Sequence, residues 1–205
     1  MIHPIRSLRK HVIPLILVVL IFLQVISGCS SEIFSTNNDN NSGNATAEVV
    51  LNVKLPSTLQ PSDKLLLEVL DDVTGVYFNA TRYEMTRKDD LNYFTHVPAW
   101  ISSEIKYRYV KVGATSEYEY NARNQQVRFR LLKVTGPEVL QDTIAAWAGQ
   151  PYTGRSGLIK GQVIDNKTKA PIPGLLVCGG GIQTTTASDG SYILDGLVPG
   201  THNLV

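Results

Sequence analysis

Two cysteines and four histidines carry the most reactive side-chain chemistry in this 205-residue chain. The histidines are far apart in the sequence, and none lies at metal-ligand spacing from a second histidine or a cysteine: His3, His11, His96 and His202. The sequence has no G-x-S-x-G nucleophile elbow, and no helix pattern follows Gly179–Gly181 to make a phosphate site. Cys178 has no evident base nearby and is interpreted as a small buried hydrophobe. We therefore predict a non-enzymatic protein without a metal or a cofactor.

The second thiol, Cys29, has a different setting. Three basic residues lie between positions 6 and 10, an apolar run extends over Val12–Ile26, and the small residues Ser27 and Gly28 precede the cysteine. This order is typical of a secretory signal peptide, which we predict over residues 1–28. The apolar run is shorter than the roughly 20 residues that a membrane-spanning helix needs.

The segment Ile26-Ser27-Gly28-Cys29 resembles the lipobox of bacterial lipoproteins. The resemblance implies that the Cys29 thiol accepts a diacylglycerol and that cleavage makes Cys29 the new N-terminus. The protein would then be exported and anchored by lipid on the extracytoplasmic face of a membrane. An uncleaved signal anchor and an ordinary signal peptide are the alternatives. The polar residues 29–45 lack the apolar content to fold and are predicted to be a flexible tether.

Charge argues against a nucleic-acid partner. Removing residues 1–28 takes away three of the 19 basic residues and none of the 18 acidic ones, so the formal net charge falls from +1 to −2. A nucleic-acid-binding domain would instead carry a basic face.

Lipid on Cys29 would also leave Cys178 without a disulfide partner.

Residues 46–148 show the period of two that β-strands produce. Apolar side chains alternate with polar ones in five segments that turn residues separate: 49–55, 64–70, 91–97, 104–112 and 126–134. No long segment has the 3.6-residue period of a helix. We predict an all-β protein with two β-sandwich modules in tandem, of which 46–148 is the first.

A series of short motifs in this first module resembles the starch-binding family of carbohydrate-binding modules. They occur in the family's order: Leu55-Pro56, Met85-Thr86, Ile105–Lys111, Glu117–Asn124, Arg128–Arg130 and Asp142–Trp147. The family binds glucans by stacking sugar rings on exposed aromatic side chains. The resemblance implies that the corresponding side chains here are Tyr77, Phe78, Tyr118 and Tyr120.

Each aromatic residue also has a simpler interpretation as part of a core. Tyr107 and Tyr109 alternate with basic residues on a strand, and Trp147 ends an apolar segment, so we expect all three to be buried. Trp100 follows Pro98, and we expect it in a loop, exposed or half-buried.

Residues 149–156 have the composition of a linker, and residues 157–205 form the second predicted module. Its motifs resemble the carboxypeptidase regulatory-like domain, a small transthyretin-like β-sandwich: Leu158–Asp165, Ala170–Val177, Thr184–Leu194 and Gly196–His202. The resemblance implies a spacer, stabiliser or adhesion module without catalytic residues. We expect this module to be incomplete, since the chain stops within an expected strand.

The sequence thus predicts a lipid-anchored surface protein that binds polysaccharide or mediates adhesion. The alternative is that both modules are spacers that present a missing C-terminal domain, which could be catalytic.

Overall fold

Strands make up the regular structure of this protein over the residues that the structure describes. The computed structural model describes residues 45–70 and 80–205, and no α-helix occurs among them. The predicted all-β sandwich fold is therefore confirmed. Within these same ranges, no helix is long and apolar enough to cross a membrane. The predicted signal peptide, Cys29 and all but the last residue of the predicted tether lie outside the described residues.

Fourteen strands are present in the described ranges. In chain order they are β1 Thr46–Lys54, β2 Lys64–Val69, β3 Thr81–Glu84, β4 Thr86–Arg87, β5 Asn92–Trp100, β6 Glu104–Val112, β7 Ser116–Tyr120, β8 Arg130–Lys133, β9 Glu138–Thr143, β10 Ala146–Trp147, β11 Gly157–Gln162, β12 Leu176–Gly179, β13 Ile182–Thr185 and β14 Ser191–Leu197.

Two large sheets form the sandwich of the first segment. Sheet 1 has four strands in the order β4-β5-β1-β9, in which β1 is antiparallel to β5 and parallel to β9. Sheet 2 has six strands in the order β10-β7-β6-β2-β3, with β8 paired to β6 beside this path. Two small antiparallel sheets follow, sheet 3 from β11 and β14 and sheet 4 from β12 and β13.

The core lies between sheets 1 and 2 and follows the predicted alternation. Along β1, every second side chain is buried, because successive side chains of a strand point to opposite faces. Tyr107, Tyr109 and Trp147 are at most 2% exposed, so their predicted place in the core is confirmed. Each fully buried large apolar side chain contributes about 1.5–3 kcal/mol to folding.

The prediction that Trp100 lies in a loop was wrong. Strand β5 continues through Pro98 to Trp100, which pairs with Thr46 of β1. Proline lacks a backbone N–H and is tolerated where a strand has a free edge. The neighbouring β4 pairs only with Tyr93 and Phe94, so within residues 45–70 and 80–205 no strand pairs with β5 on that side at Pro98.

The predicted strand over 126–134 is shorter and its alternation is broken. Strand β8 begins only at Arg130, and this arginine is buried while Arg128 is exposed. The prediction that Arg130 lies on the polar face was therefore wrong. Its side chain points inward because two buried carboxylates, described below, bind it there.

The second segment packs directly on the first, and residues 43–205 form one compact unit. Val198 lies in a buried cluster with Ala145 and Ala146. The Gln183 side-chain amide donates a hydrogen bond of 2.6 Å to the Phe129 carbonyl. The boundaries at 148 and 157 stay a prediction, but contacts of this kind cross them.

Two glycines allow the close approach of the two segments. Gly181 has φ +79°, and a Cβ atom on it would lie 2.9 Å from Cγ1 of Val127. Gly196 has φ +89°, and a Cβ atom there would lie 2.4 Å from Cγ of Arg123. Both positions therefore favour glycine for its backbone and for its missing side chain.

We predict that Gly181→Ala lowers the free energy of unfolding by more than about 1 kcal/mol, since alanine fits neither this φ nor this space. Gly174→Ala is the matched control, because Gly174 has φ +71° and open space around it. Chemical denaturation of both variants isolates the packing contribution. Equal losses for the two variants would show that the contact with Val127 is loose.

Candidate functional site

A buried polar cluster between sheets 1 and 2 is the first candidate for chemistry. Arg130 donates to Glu119 through Nη2 at 2.7 Å and to Asp142 through Nη1 at 2.9 Å. The hydroxyls of Tyr107 and Tyr109 each donate to Oδ2 of Asp142 at 2.8 Å. The backbone N–H of Tyr109 donates to Glu119 at 3.1 Å. We call these five residues the Arg130 cluster.

The Arg130 cluster has the properties of a structural element rather than of a binding site. Its carboxylates accept hydrogen bonds from within the cluster, and Arg130, Glu119 and Asp142 are at most 7% exposed. The void beside it measures only about 10 Å³, which is room for at most one water molecule. The five residues belong to β6, β7, β8 and β9, so the cluster joins sheet 1 to sheet 2.

Burial makes the hydroxyls of the two tyrosines in the cluster unusually weak acids. Burial raises the pKa of Tyr107 and of Tyr109 well above the ordinary value, and the negative charge of Asp142 raises both further. Both hydroxyls therefore stay protonated, and donate to Asp142, above the pH at which an ordinary tyrosine ionises.

Two other groups with nucleophile or base chemistry are also placed by the structure. Cys178 is buried, as predicted, and burial raises the pKa of its thiol to about 11. It is therefore a poor nucleophile at neutral pH. His96 lies on β5 with its Nδ1 2.6 Å from Oε1 of Glu48. Among the described residues, no hydroxyl or thiol hydrogen-bonds this histidine, so the pair lacks a nucleophile.

The predicted sugar-binding residues fall into two groups. Tyr77 and Phe78 lie outside the described residues. Tyr118 and Tyr120 share one face of β7, opposite the buried Glu119, and both are half-buried. The structure thus brings two of the four side chains onto one strand.

Neighbouring side chains already occupy much of both tyrosine rings. The Arg108 guanidinium lies over the Tyr118 ring, with Cζ 3.9 Å from the ring centroid. Arg108 is held there by Glu68, which accepts from Arg108 Nη2 at 2.7 Å. Tyr120 packs against the cluster of Ala145, Ala146 and Val198. The sugar-binding role of these tyrosines stays a prediction, and each offers at most part of its ring to a ligand.

A line of rings on the outer face of sheet 1, half-buried at Phe94 and exposed at Trp100, is the stronger candidate. Phe94, His96, Pro98 and Trp100 alternate with buried residues along β5, and all four therefore point away from the core. Trp100 is 56% exposed, although tryptophan is usually buried. The Phe94 and His96 rings are 5.8 Å apart at an interplanar angle of 71°. We call Phe94, His96 and Trp100 the aromatic row.

Polar side chains of β1 border the aromatic row. In the register of the two strands, Thr46 lies opposite Trp100, Glu48 opposite Pro98 and Asn52 opposite Phe94. The side-chain nitrogen of Asn52 donates to the Leu140 carbonyl at 3.2 Å. The side-chain oxygen of Asn52 takes no part in this bond. Carboxylate, imidazole and amide groups thus lie beside the rings on the outer face of sheet 1.

This combination is suited to binding a polyhydroxylated ligand. The indole and phenyl rings offer apolar area against which the C–H face of a sugar can stack. The neighbouring planar polar groups can accept and donate hydrogen bonds to hydroxyls and so fix orientation. Sequence reasoning missed this row, although the alternation of Phe94, His96 and Trp100 around a single Pro98 was the signal that could have revealed it.

No protein-family profile and no curated protein matches this chain. Among solved structures, the chain is similar to a glucoamylase from Hypocrea jecorina, with a TM-score of 0.38 and 12% identity over 48% of this chain and 17% of the other. It is also similar to a glucoamylase from Hormoconis resinae, with a TM-score of 0.38 and 17% identity over 55% of this chain and 19% of the other. A third similar structure is a streptococcal ancillary pilin, with a TM-score of 0.28 and 11% identity over 78% of this chain and 52% of the other. The chain thus spans less than a fifth of either glucoamylase. TM-scores this low establish neither a shared fold nor a shared function.

We predict that Arg130→Met destabilises the protein by about 3–5 kcal/mol, because it leaves two buried carboxylates without their cation. Arg128→Met is the matched control, since Arg128 is exposed two residues away; we expect its effect to be within about 0.5 kcal/mol. Urea denaturation measures both. Similar stability of the two variants would contradict the structural role of the cluster.

We also predict a loss of stability at alkaline pH. Unfolded tyrosines ionise near pH 10, whereas folding holds Tyr107 and Tyr109 protonated. The folded state then binds more protons, so the free energy of unfolding falls above about pH 10, by up to about 1.4 kcal/mol per pH unit for each tyrosine. Tyr107→Phe should reduce this slope in denaturation curves. An unchanged slope would show that Tyr107 ionises in the folded state.

Proposed function

We propose that this protein binds a polysaccharide through the aromatic row, without catalysing a reaction. The observation that carries the proposal is the exposed Trp100 on the same outer strand face as Phe94. A ligand that stacks on this indole would remove its apolar area from water, which is favourable. The hydrogen-bonding groups of Glu48, His96 and Asn52 beside the rings favour a sugar over a purely apolar partner.

We further propose that the protein is displayed on the outside of a membrane. The support is the sequence of residues 1–29, in which a basic segment, an apolar run and small residues lead to Cys29. Lipid on this cysteine and the polar residues that follow would hold the sandwich at a distance from the bilayer. Polysaccharide captured by the aromatic row would then be retained at the cell surface.

A structural role as a spacer is the second candidate. The close contacts at Gly181 and Gly196 favour it, because they join the two segments into a unit suited to a stiff stalk. A stalk has no use for an exposed tryptophan, whereas a polysaccharide-binding protein can stack a sugar ring on it. The two candidates are therefore separated by whether Trp100 contributes to ligand binding.

We predict that Trp100→Ala weakens retention of the purified full-length chain on an insoluble polysaccharide by about tenfold, or about 1.4 kcal/mol, because the largest stacking surface is lost. Pull-down on starch, cellulose, xylan and chitin measures this effect and identifies the ligand class.

Leu158→Ala is the control for that experiment, since Leu158 is a similarly exposed apolar side chain on sheet 3. It should leave retention unchanged. Absence of retention for the unmodified chain on all four polysaccharides would leave the spacer as the better account. If the Trp100→Ala variant is retained as strongly as the unmodified chain, the aromatic row is not the binding surface.

A further inference from the structure

A cleft opens at the end of sheet 1, where the two segments meet. Its volume is about 470 Å³, and its walls come from the ends of β1 and β9, from residues 150–154 and from residues 198–199. Both segments and the predicted linker therefore contribute to one concave site. A volume of this size lies within the range of small-ligand sites in proteins.

The aromatic row leads towards this cleft. Lys54 pairs with Asn92 on one side and with Thr143 on the other, and these pairs end the registers of β1 with β5 and with β9. Asn92 lies two residues before Phe94 on the same face of β5. Lys54 and Thr143 also line the cleft. The outer face of sheet 1 and the cleft are thus continuous at this end.

The cleft repeats the chemistry of the aromatic row. Tyr152 lines it and is half-buried, with its hydroxyl donating to the Arg155 carbonyl at 3.3 Å. Pro151 and Pro199 add apolar surface, and Gln150 and Ser57 add hydrogen-bonding groups. An aromatic ring among polar side chains is again suited to a sugar.

The charges along this path favour an uncharged ligand. Lys54 is the one charged side chain among the described residues that line the cleft. On the aromatic row, the carboxylate of Glu48 is already bound to His96. An anionic polymer would be expected to meet several cations, as charge complementarity requires.

The length of the path and its course along one strand limit the ligand further. Phe94 and Trp100 are six residues apart on one strand, so the row is about 20 Å long. A ligand that contacts the row and Tyr152 must be longer still. Because the row follows a single strand, that ligand must also stay extended rather than curve away from the sheet.

We propose that the cleft is a second subsite for the same ligand, an uncharged and extended polysaccharide chain that lies along the aromatic row and ends its contacts at Tyr152. This inference rests on the proposed function of the row. It makes the second segment part of the binding site, since Val198 and Pro199 form one wall of the cleft.

Titration calorimetry of the full-length chain with two oligosaccharide series tests this inference. The probes are β-1,4-linked gluco-oligosaccharides and malto-oligosaccharides, each from the disaccharide to the hexasaccharide. The affinity of the unmodified chain should rise with length in the extended β-1,4 series. Trp100→Ala should weaken binding at every length.

Tyr152→Ala should weaken only the long oligosaccharides, by about tenfold. Tyr152 also packs against a small buried cluster, so Ser57→Trp serves as a second variant that blocks the cleft from an exposed position. It should give the same length-dependent loss. Thr81→Ala, an exposed change on β3 of sheet 2, lies in neither the cleft nor the aromatic row and is the control that should change nothing.

The outcomes separate the two proposals. Unchanged affinity of both cleft variants for the long oligosaccharides would overturn the second subsite and leave the aromatic row intact. A loss at every length for both variants would also overturn it, since the cleft would then act only through stability. A length effect confined to the malto series would contradict the extended path. No binding of either series by the unmodified chain would overturn the proposed function and the subsite together.

Discussion

The buried bond of Arg130 to Glu119 and Asp142 is the constraint on which the rest of this fold depends. Asp142 belongs to sheet 1, whereas Arg130 and Glu119 belong to sheet 2. A guanidinium can bind both carboxylates only when the two sheets meet in one alignment. The side-chain period of a strand is two, so a slip of one residue would turn every side chain to the opposite face. A slip of β9 on β1 would therefore turn Asp142 away from Arg130, so the cluster helps to fix the register of this pair of strands.

The close packing between the two segments is the second feature on which the structure depends. Gly181 and Gly196 let backbone approach the side chains of Val127 and Arg123, and Val198 closes over Ala145 and Ala146. Residues 150–154 are thereby held against the end of sheet 1, where they form a wall of the cleft. The proposed binding path would therefore combine a rigid strand with a site that exists only because both segments fold together.

Local patterns predicted much of the fold, because alternation over a whole strand is a local property. Strands β1, β2, β5 and β6 and the burial of Tyr107, Tyr109 and Trp147 followed from it. The inward direction of the Arg130 side chain could not be predicted in this way, because its partners Glu119 and Asp142 lie 11 and 12 residues away in sequence. Local alternation does not show that a carboxylate is buried. The aromatic row was missed because Pro98 suggested a loop, whereas the free edge that tolerates a proline is a property of the sheet. The partly covered ring of Tyr118 likewise depends on Arg108, which comes from a neighbouring strand.

The central claim is that the exposed indole of Trp100 contacts a polysaccharide. The chain has two tryptophans, Trp100 on the surface and Trp147 in the core, so a nitrogen-15-labelled sample gives two side-chain indole signals. Titrating this sample with the oligosaccharide that binds most tightly is the most direct measurement. We predict that the Trp100 indole signal shifts with saturation while the Trp147 signal stays in place. Binding that leaves the Trp100 signal unmoved would contradict the claim.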